Sequence, residues 1–400
     1  MSRQIVTGID IGTEEIKVII AEGVVHNGQF IPKVIGTGTA ESRGVERGFI
    51  KDPAETSESL RIALNKAEKG SGVKVKRAYV SFGGVGLGSL ISYGSTSITR
   101  ADLEITENDI ASALESAEKN ISKDQSVNKK ILNTIPIEYK IDNERSWGEP
   151  IGLKAQKLEV KALFITCLEH HLTHLIKAVE ESGVEVIDVV AGPVATSFVT
   201  ISKKQQRVGS ILADIGAETL SVIVFENNNP VSLEVFPVGG SDITNDIALG
   251  LKVSLEEAET IKLGGLSRGP YSKKKYDEIV SARLYDCFEL IEKHLKKIGR
   301  NSLLPAGIIL SGGTSNLPTL KLSAENNLNL PATIAEVHFG NAEKSKIKEN
   351  TWATACGLVL LGFNAGNEDG EIGKKIGVMH VIDHEKIIKK FSKWFSQFLP

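Results

Sequence analysis

One short pattern occurs twice in this chain, and it constrains the fold more than any other feature of the sequence. Residues 9–13 (IDIGT) and 213–217 (ADIGA) share Asp-Ile-Gly, and each stretch lies between two apolar, strand-like segments. Because a three-residue match arises easily by chance, its weight comes from the shared strand-turn-strand setting. The pattern predicts an internal duplication in which Asp10 and Asp214 occupy equivalent turns.

The order of strand and helix patterns around the two turns predicts an α/β architecture. In the first half the pattern predicts an antiparallel meander, a helix and a further strand, over residues 4–9, 16–21, 31–39, 55–69 and 75–82. From residue 183 a similar pattern returns. It predicts a strand over 184–190, the start of a helix over 194–201, a hairpin over 210–215 and 220–225, and a further strand over 231–237. Further helices are predicted over 242–251, 255–263, 276–298 and 352–361, and a strand over 306–310. Residues 84–162 interrupt the repeat, which predicts an inserted small α+β lobe.

Each of the two turns has the chemistry of a phosphate and metal site. An aspartate at a strand end can hold a hydrated divalent cation, and the small residues after it offer backbone N–H groups to a phosphate. Two such turns that face each other would hold the phosphates of a nucleotide from both sides. The candidates are Asp10 and Asp214 for the waters of Mg²⁺, Gly12, Thr13, Gly216 and Thr219 for phosphates, and Lys17 as a point charge. Either turn taken singly is also typical of an ordinary tight hairpin.

A third glycine-containing turn supports the nucleotide interpretation. Gly312 and Gly313 follow the predicted strand 306–310, and glycines at that point let the backbone approach a flat ligand such as adenine. The three turns together therefore favour a nucleotide site over three unrelated hairpins.

The net charge of -3 combines two parts of opposite sign. Residues 384–400 carry a local charge of +3, so the residues before them sum to -6. The near-neutral total argues against a general nucleic-acid binder. The N-terminal residues have no signal-peptide pattern, no apolar stretch is long enough to span a bilayer, and the three cysteines lie far apart. These features predict a cytoplasmic protein with reduced thiols.

The last segment, residues 384–400, has the pattern of an amphipathic helix. Its apolar residues occupy one arc of a helix; they are Ile387, Ile388, Phe391, Trp394, Phe395, Phe398 and Leu399. Lysines flank this arc, namely Lys386, Lys389, Lys390 and Lys393, and a glycine-rich stretch precedes it. A helix packed on the protein's own core is the alternative, but aromatic crowding beside lysines favours an interfacial membrane anchor.

Four segments come in the order of the actin-type ATPase signatures. They are residues 8–13 (GIDIGT), 213–216 (ADIG), 309–313 (ILSGG) and 351–357 (TWATACG), and they resemble the first phosphate, second phosphate, adenosine and second connecting motifs. Within that superfamily the chain resembles the FtsA family of bacterial cell-division proteins. The further matching segments are residues 133–139 (NTIPIEY), 158–162 (LEVKA), 235–248 (VFPVGGSDITNDIA) and 257–262 (EAETIK). The resemblance covers essentially the whole chain.

This resemblance implies an α/β, actin-like (ribonuclease H-like) duplicated two-lobe fold that binds ATP and Mg²⁺. The implied boundaries are 1–83 and 163–193 for the first core lobe, 84–162 for the inserted lobe, 194–229 and 303–366 for the second core lobe, 230–302 for a nucleotide-capping and partner-binding lobe, 367–383 for a flexible linker and 384–400 for the membrane-binding helix. It also adds residues to the nucleotide pocket, namely Ala217, Gly239, Gly240, Glu259, Lys262 and Asn316. Glu259 and Lys262 are three residues apart on a predicted helix, so both can face one pocket.

The resemblance also implies partners. The inserted lobe would make filament contacts, and the C-terminal tail of the tubulin-like protein FtsZ would dock on residues 230–302. The protein would then link FtsZ and other division proteins to the cytoplasmic face of the inner membrane at the division site. The long predicted helix of that lobe offers Arg283, Lys293, Lys297 and Arg300 to an acidic peptide, although a solvated helix face explains these residues equally well.

Two departures from the family pattern bear on activity. Ala217 and Glu218 stand where the family usually has two glycines, and a carboxylate near an anion must point away from it or face the metal. Gly192 precedes Pro193, where many relatives have a glutamate or glutamine that orients the attacking water. No catalytic residue is therefore assigned, and we expect ATP binding with weak or absent hydrolysis. The alternatives are an actin-like pilus-assembly protein and a small-molecule kinase of the same superfamily.

Overall fold

The computed structural model describes residues 4–26, 29–264, 272–340, 347 and 349–366. In chain order the strands are β1 (Ile5–Ile11), β2 (Glu15–His26), β3 (Gln29–Glu41), β4 (Val45–Glu46), β5 (Phe49–Ile50), β6 (Arg77–Phe82), β7 (Gly88–Ser97), β8 (Lys129–Ile141), β9 (Glu144–Ser146), β10 (Lys157–Leu168), β11 (Glu185–Ala191), β12 (Ser210–Ile215), β13 (Leu220–Glu226), β14 (Asn229–Phe236), β15 (Ile308–Ser311) and β16 (Ala332–Ile334). The α-helices are α1 (Pro53–Ser71), α2 (Glu107–Lys119), α3 (Lys123–Ser126), α4 (Glu169–Glu181), α5 (Gly192–Thr200), α6 (Lys203–Val208), α7 (Gly240–Leu251), α8 (Leu255–Lys262), α9 (Lys273–Lys297), α10 (Leu320–Leu328) and α11 (Ala353–Gly366).

The two halves of the chain build sheets of the same topology. The first sheet has the order β11-β6-β1-β2-β3, and the second contains β16-β15-β12-β13-β14. In each sheet the meander strands pair antiparallel, and the first of them pairs parallel with a later strand, β6 or β15. The equivalent positions of β1 and β12 confirm the duplication that the two Asp-Ile-Gly turns predict.

Local sequence explains how the first sheet is covered. Helix α1 begins after Asp52, whose side chain accepts hydrogen bonds from the backbone N–H groups of residues 54 and 55, and ends at Gly72 in the left-handed conformation. Its buried face packs on β2 and β3. Gly38 of β3 allows a close approach, because a Cβ there would lie 1.9 Å from the carbonyl oxygen of Ala63. Helices cover both faces of the sheet, and β1 is accordingly apolar along most of its length.

The inserted lobe forms its own small core and continues the second sheet. Strands β7, β10, β8 and β9 follow β14 in the order of that sheet, and the join is a single bridge between Glu234 and Gly88. Helix α2 packs on β7 and β10, where Gly94 allows the approach because a Cβ there would lie 2.2 Å from the carbonyl oxygen of Ala113. The glycine-rich stretch after β6 thus leads directly into a strand, which its glycine content did not indicate.

The position of α11 differs from the predicted boundaries. The resemblance predicts that residues 353–366 belong with 303–352 in the second core lobe. In the structure, α11 packs against α5, β1 and β6 beside the first sheet. Its small residues make this possible. A Cβ on Gly357 would lie 1.9 Å from the carbonyl oxygen of Ala195, and one on Gly362 would lie 2.5 Å from Val6. The chain therefore returns to the first lobe through this helix.

Two predicted segments lie outside the described residues: the linker 367–383 and the amphipathic helix 384–400, with all of its membrane-facing residues. Among the helices that the structure does describe, none combines the length and the apolar character needed to cross a bilayer.

Candidate functional site

Two aspartates, one from each half of the duplication, lie close enough for their charges to interact where the two lobes meet, and we call this place the cleft. Asp10 is near the end of β1 and accepts a hydrogen bond from the hydroxyl of Ser81, at 2.7 Å. Asp214 is near the end of β12 and accepts one from the hydroxyl of Thr196, at 3.2 Å. Each hydroxyl fixes the orientation of one carboxylate.

The pKa values show that the two carboxylates act on each other. Burial, and after it the charge of Asp10, raises the pKa of Asp214 to about 6. Burial also raises the pKa of Asp10, while the positive charge of Lys17 and the Ser81 hydrogen bond oppose that increase. Lys17 itself pairs with Glu15 at 3.2 Å. The base of the cleft is thus a site of excess negative charge, which a cation would stabilise.

The donor set fits a hydrated Mg²⁺ ion. Such an ion is usually held through one or two carboxylates, with water and substrate phosphates completing its shell. Asp10 and Asp214 supply two partly buried carboxylates from opposite sides of the cleft. A divalent cation between them would also remove the repulsion that raises the pKa of Asp214.

The turn after β12 packs against the start of α7. The backbone N–H of Gly240 donates to the carbonyl of Gly216 at 2.9 Å, and that of Ser241 donates to the carbonyl of Ala217 at 2.8 Å. A Cβ on Gly239 would lie 2.4 Å from the carbonyl oxygen of Ala217, so glycine is required for this approach. The predicted residues Gly216, Ala217, Gly239 and Gly240 are therefore brought together, and Thr219 closes the same turn by accepting from the Gly216 N–H at 2.9 Å.

Glu259 and Lys262 of α8 face the same helix start. The ammonium of Lys262 lies 2.7 Å from a carboxylate oxygen of Glu259, and it donates to the carbonyl of Gly240 at 3.1 Å. The hydroxyl of Thr244 accepts from Lys262 at 2.8 Å and donates to Glu259 at 2.5 Å. Glu259 and Lys262 thus lie on one face of α8 beside Gly240, and their place in a nucleotide pocket stays a prediction.

The third turn lies directly beside Asp214. Gly312 has a φ of 86°, and a Cβ there would lie 2.5 Å from the Oδ1 atom of Asp214. Gly313 and Asn316 are exposed and form the ends of a short 3₁₀ turn. The structure thus places Gly312 beside the carboxylate of Asp214, whereas Asn316 lies at the exposed far end of the 3₁₀ turn.

The first turn contacts a small hairpin formed by residues 45–50, which we call the cleft hairpin. The hydroxyl of Thr13 accepts a hydrogen bond from the backbone N–H of Gly48 at 3.1 Å. The carboxylate of Glu218 accepts one from the backbone N–H of Arg47 at 2.7 Å. Glu218 therefore bonds to the first lobe across the gap between the two turns. Gly12 donates within its own turn, to the carbonyl of Glu15 at 3.3 Å.

Sequence reasoning missed three hydroxyl residues of the site. Ser81 and Thr196 hold the two aspartates, and the hydroxyl of Thr354 lies 2.9 Å from that of Thr196. Ser81 could have been found, because β6 runs parallel to β1 and ends at the same edge of the sheet. Thr196 and Thr354 carry no comparable local signal, since their role depends on where α5 and α11 cross.

Three of the four basic residues predicted to bind a partner lie in internal ion pairs. Arg283 binds Asp246 through two hydrogen bonds, at 2.6 and 3.0 Å, and Arg300 binds Glu226 at 2.7 Å. Lys293 lies 2.9 Å from Glu289 on the same helix face. Burial raises the pKa of Glu234 and lowers that of His294 to about 4, and the charge of the exposed Lys297 has a smaller, lowering effect on both. The positive charge of this helix is therefore largely compensated within the chain.

Solved structures of low sequence identity share this fold. The PilM-PilN type IV pilus biogenesis complex matches with a TM-score of 0.65 and 16% identity, covering 89% of this chain and 98% of that chain. MreB 5 of Spiroplasma citri bound to AMPPNP matches with a TM-score of 0.52 and 12% identity, covering 92% and 99%. The fold, with its paired aspartate turns, is therefore of the actin-like class.

Sequence comparisons narrow this class to one family. The model of the cell division protein FtsA matches residues 211–357, and that of the SHS2 domain inserted in FtsA matches residues 84–166. The cell division protein FtsA of Pseudomonas aeruginosa is 27% identical over 98% of both chains. That of Streptococcus pneumoniae is 30% identical, covering 78% of this chain and 71% of the relative. The chain belongs to the FtsA family of cell division proteins.

Proposed function

We propose that this protein binds ATP with Mg²⁺ in the cleft and tethers filaments of FtsZ to the cytoplasmic membrane during division. The observation that carries the nucleotide part is the pair of aspartate turns, which face each other from equivalent positions of two lobes. Burial, and after it repulsion by Asp10, raises the pKa of Asp214, and a bound cation would stabilise the ionised carboxylate against both effects.

Different residues around the cleft would contact different parts of the nucleotide. The turns at Gly12–Thr13 and Gly216–Thr219 offer backbone N–H groups to phosphates, and Lys17 adds a positive charge beside them. The cluster of Glu259 and Lys262 beside Gly240 is positioned for the ribose and base. Mg²⁺, when bound, would neutralise the charge of the phosphates, and Asp10 and Asp214 would orient its water ligands.

We propose weak or absent ATP hydrolysis. A side chain that orients the attacking water contributes by positioned proton transfer, and its absence costs rate. Position 192, at the first turn of α5, holds glycine, and the described hydroxyls near it are occupied with the aspartates. The small-molecule kinase alternative would require a catalytic carboxylate for the acceptor hydroxyl, and Asp10 and Asp214 are already committed to the cation.

Membership of the FtsA family supports the remaining parts of the proposal. The inserted lobe, residues 84–162, would make contacts between copies of the chain in a filament. The lobe at 230–302 would receive the C-terminal tail of FtsZ. Because Arg283, Arg300 and Lys293 each have a carboxylate partner, an acidic tail would rely more on the exposed Lys297, or would have to displace those partners.

The C-terminal segment would provide the membrane tether at the division site. Burying part of its apolar arc in the interface contributes favourable free energy, and each lysine near anionic lipid adds about 1 kcal/mol. A short helix of this kind binds reversibly, and several copies in a filament would bind together more strongly.

Co-sedimentation with liposomes tests the tether. Full-length protein should pellet with anionic vesicles, and a variant with Trp394→Glu and Phe395→Glu should stay in the supernatant. The matched control carries Ser392→Glu and Ser396→Glu, which add the same charge to the predicted polar face and should pellet more than the first variant. Equal pelleting of wild type and the Trp394/Phe395 variant would refute the tether.

Titration with a fluorescent ATP analogue tests the nucleotide proposal, and addition of the FtsZ tail peptide to the liposome assay tests the link. Analogue binding should require Mg²⁺ and should be lost in Asp214→Asn. The tail peptide should pellet only when the protein and vesicles are both present. A tail peptide that stays soluble under these conditions would contradict the linking role.

A further inference from the structure

The cleft hairpin has a backbone geometry that presents two consecutive N–H groups at its tip. β4 and β5 pair as Val45 with Ile50 and Glu46 with Phe49, which leaves a two-residue turn. Both turn residues have positive φ, 49° at Arg47 and 75° at Gly48. This is the conformation of a type I′ hairpin turn, in which the chain reverses tightly. The N–H groups of Arg47 and Gly48 therefore lie at the outermost point of the hairpin.

Each of these N–H groups is taken by a side chain from a different proposed phosphate turn. Gly48 donates to Thr13 at 3.1 Å, and Thr13 belongs to the same lobe as the hairpin. Arg47 donates to Glu218 at 2.7 Å, and Glu218 belongs to the other lobe. The tip thus contacts both turns at once, and the bond to Glu218 crosses the cleft.

The hairpin is held firmly on its own lobe, so the bond to Glu218 has a fixed anchor. A Cβ on Gly48 would lie 2.8 Å from the carbonyl oxygen of Gly83, which shows how closely the tip packs on the segment after β6. The ring of Phe49 stacks on that of His171 of α4 with centroids 4.3 Å apart. The carbonyl oxygen of Ile50 lies 3.0 Å from Nδ1 of His174. If the lobes separated, the hairpin would stay with its own lobe through these contacts and the Glu218 bond would break.

The chemical nature of the bond also suits this role. A carboxylate that accepts from a backbone N–H forms a charge-assisted hydrogen bond, which is stronger than a neutral one. The donor is the backbone N–H of Arg47, so the bond does not depend on the side chain at this position, and the exposed guanidinium takes no part in it. An incidental surface contact would more commonly use the flexible charged side chain than the rigid amide.

We propose that Glu218 is a positioning residue that holds the second-lobe turn against the cleft hairpin and thereby slows the release of bound nucleotide. The nucleotide does not contact the Glu218 carboxylate in this proposal; it is retained because the two turns around it cannot separate freely. The inference rests on the proposed function, since it requires that a nucleotide occupies the cleft.

The test measures how fast nucleotide leaves the full-length chain. Protein loaded with a fluorescent ATP analogue and Mg²⁺ is mixed with excess unlabelled ATP, and the loss of fluorescence gives the dissociation rate. Glu218→Ala should raise this rate about tenfold, equivalent to ~1.4 kcal/mol. Glu218→Gln keeps an oxygen that can accept the Arg47 N–H, so it should raise the rate less than about threefold. Glu336→Ala, which removes an exposed glutamate that takes no part in these contacts, should leave the rate unchanged.

A second readout does not depend on nucleotide. Amide hydrogen exchange at residues 45–50 of the nucleotide-free chain should be faster in Glu218→Ala than in wild type, and close to wild type in Glu218→Gln. This separates loss of the hydrogen bond from general unfolding, which would raise exchange throughout the chain.

The outcomes separate the positioning role of Glu218 from the proposal that the cleft binds nucleotide. If wild type binds the analogue and Glu218→Ala releases it at the wild-type rate, the positioning role is overturned and the nucleotide proposal stands. If Glu218→Gln releases it as fast as Glu218→Ala, or if both release it more slowly than wild type, the charge and not the hydrogen bond matters, and the positioning role is again overturned. If wild type binds no analogue, the nucleotide proposal fails and this inference fails with it.

Discussion

Replacing Asp214 with asparagine removes one charge from the base of the cleft while keeping the size of the side chain. Burial, and then the charge of Asp10, raise the pKa of Asp214 from 3.8 to about 6 in the folded chain. At 1.36 kcal/mol per pH unit, that difference corresponds to ~3 kcal/mol by which the ionised carboxylate destabilises the folded state at neutral pH. The amide cannot ionise, so Asp214→Asn should recover much of this free energy.

The sign of the pH dependence follows from the direction of the pKa change. Between about pH 4 and pH 6 the folded chain binds more protons at this position than the unfolded chain, so the contribution of Asp214 to stability falls as pH rises. It is fully present below the unfolded pKa and is lost once the pH passes the folded pKa. The difference in free energy of unfolding between Asp214→Asn and wild type should therefore grow by up to ~3 kcal/mol from pH 4 to pH 7 in favour of the variant, and stay level above that.

Urea unfolding followed by circular dichroism, without nucleotide, measures this difference across the pH range. Asp124→Asn, a change at an exposed aspartate of the inserted lobe, is the control and should show no such trend. In a second arm, Mg²⁺ and ATP should raise the melting temperature of wild type more at pH 7.5 than at pH 5.5, and should not raise that of Asp214→Asn. A stability difference that is independent of pH, or that grows towards acid, would refute the reasoning about the two carboxylates.

Three further predictions concern glycines and the lysine of the site. Gly192→Gln should raise phosphate release from ATP about tenfold, and a Cβ at this position has room because the carbonyl oxygen of Phe82 would lie 3.6 Å from it; an unchanged rate with normal ATP affinity would count against the water-orienting role. Gly357→Ala should lower the free energy of unfolding by about 1–3 kcal/mol through overpacking, whereas Gly83→Ala, where a Cβ would meet nothing within 4 Å, should be nearly neutral in the same urea assay. Lys262→Ala should weaken ATP binding about tenfold in a fluorescence titration, and Lys321→Ala, an exposed lysine of α10, should not; equal affinities would remove Lys262 from the pocket.

Sequence periodicity determined the order and type of most core elements because these depend on neighbours within a few positions, although it missed β7 in the glycine-rich stretch. The meander at β1–β3 and the hairpin β12–β13 are confirmed by their antiparallel registers. The three-residue spacing of Glu259 and Lys262 was enough to place both on one helix face, and their contact at 2.7 Å agrees with it. The Asp-Ile-Gly repeat likewise indicated the duplication, because the same turn must connect the same two strands in each half.

The supporting contacts could not be predicted, because they join residues that are far apart in the sequence. Ser81 reaches Asp10 across 71 positions, and Arg47 reaches Glu218 across 171. Such pairs follow from how sheets and helices pack, and no local pattern records the final distances. The same reason explains why the basic residues of α9 looked free in the sequence, whereas Arg283 has its partner in Asp246 of α7.

Taken by itself, the sequence determined the α/β class, the duplicated aspartate turns and the presence of an inserted lobe. These features are written in short-range alternation and in turn residues, which act over one or two elements. Only the tertiary structure decided that α11 returns to the first lobe, and that the carboxylates of Asp10 and Asp214 lie close enough for their charges to interact. It also decided that Glu218 reaches the cleft hairpin. Each of these depends on the relative position of two lobes, which is set by core packing between elements that are distant along the chain.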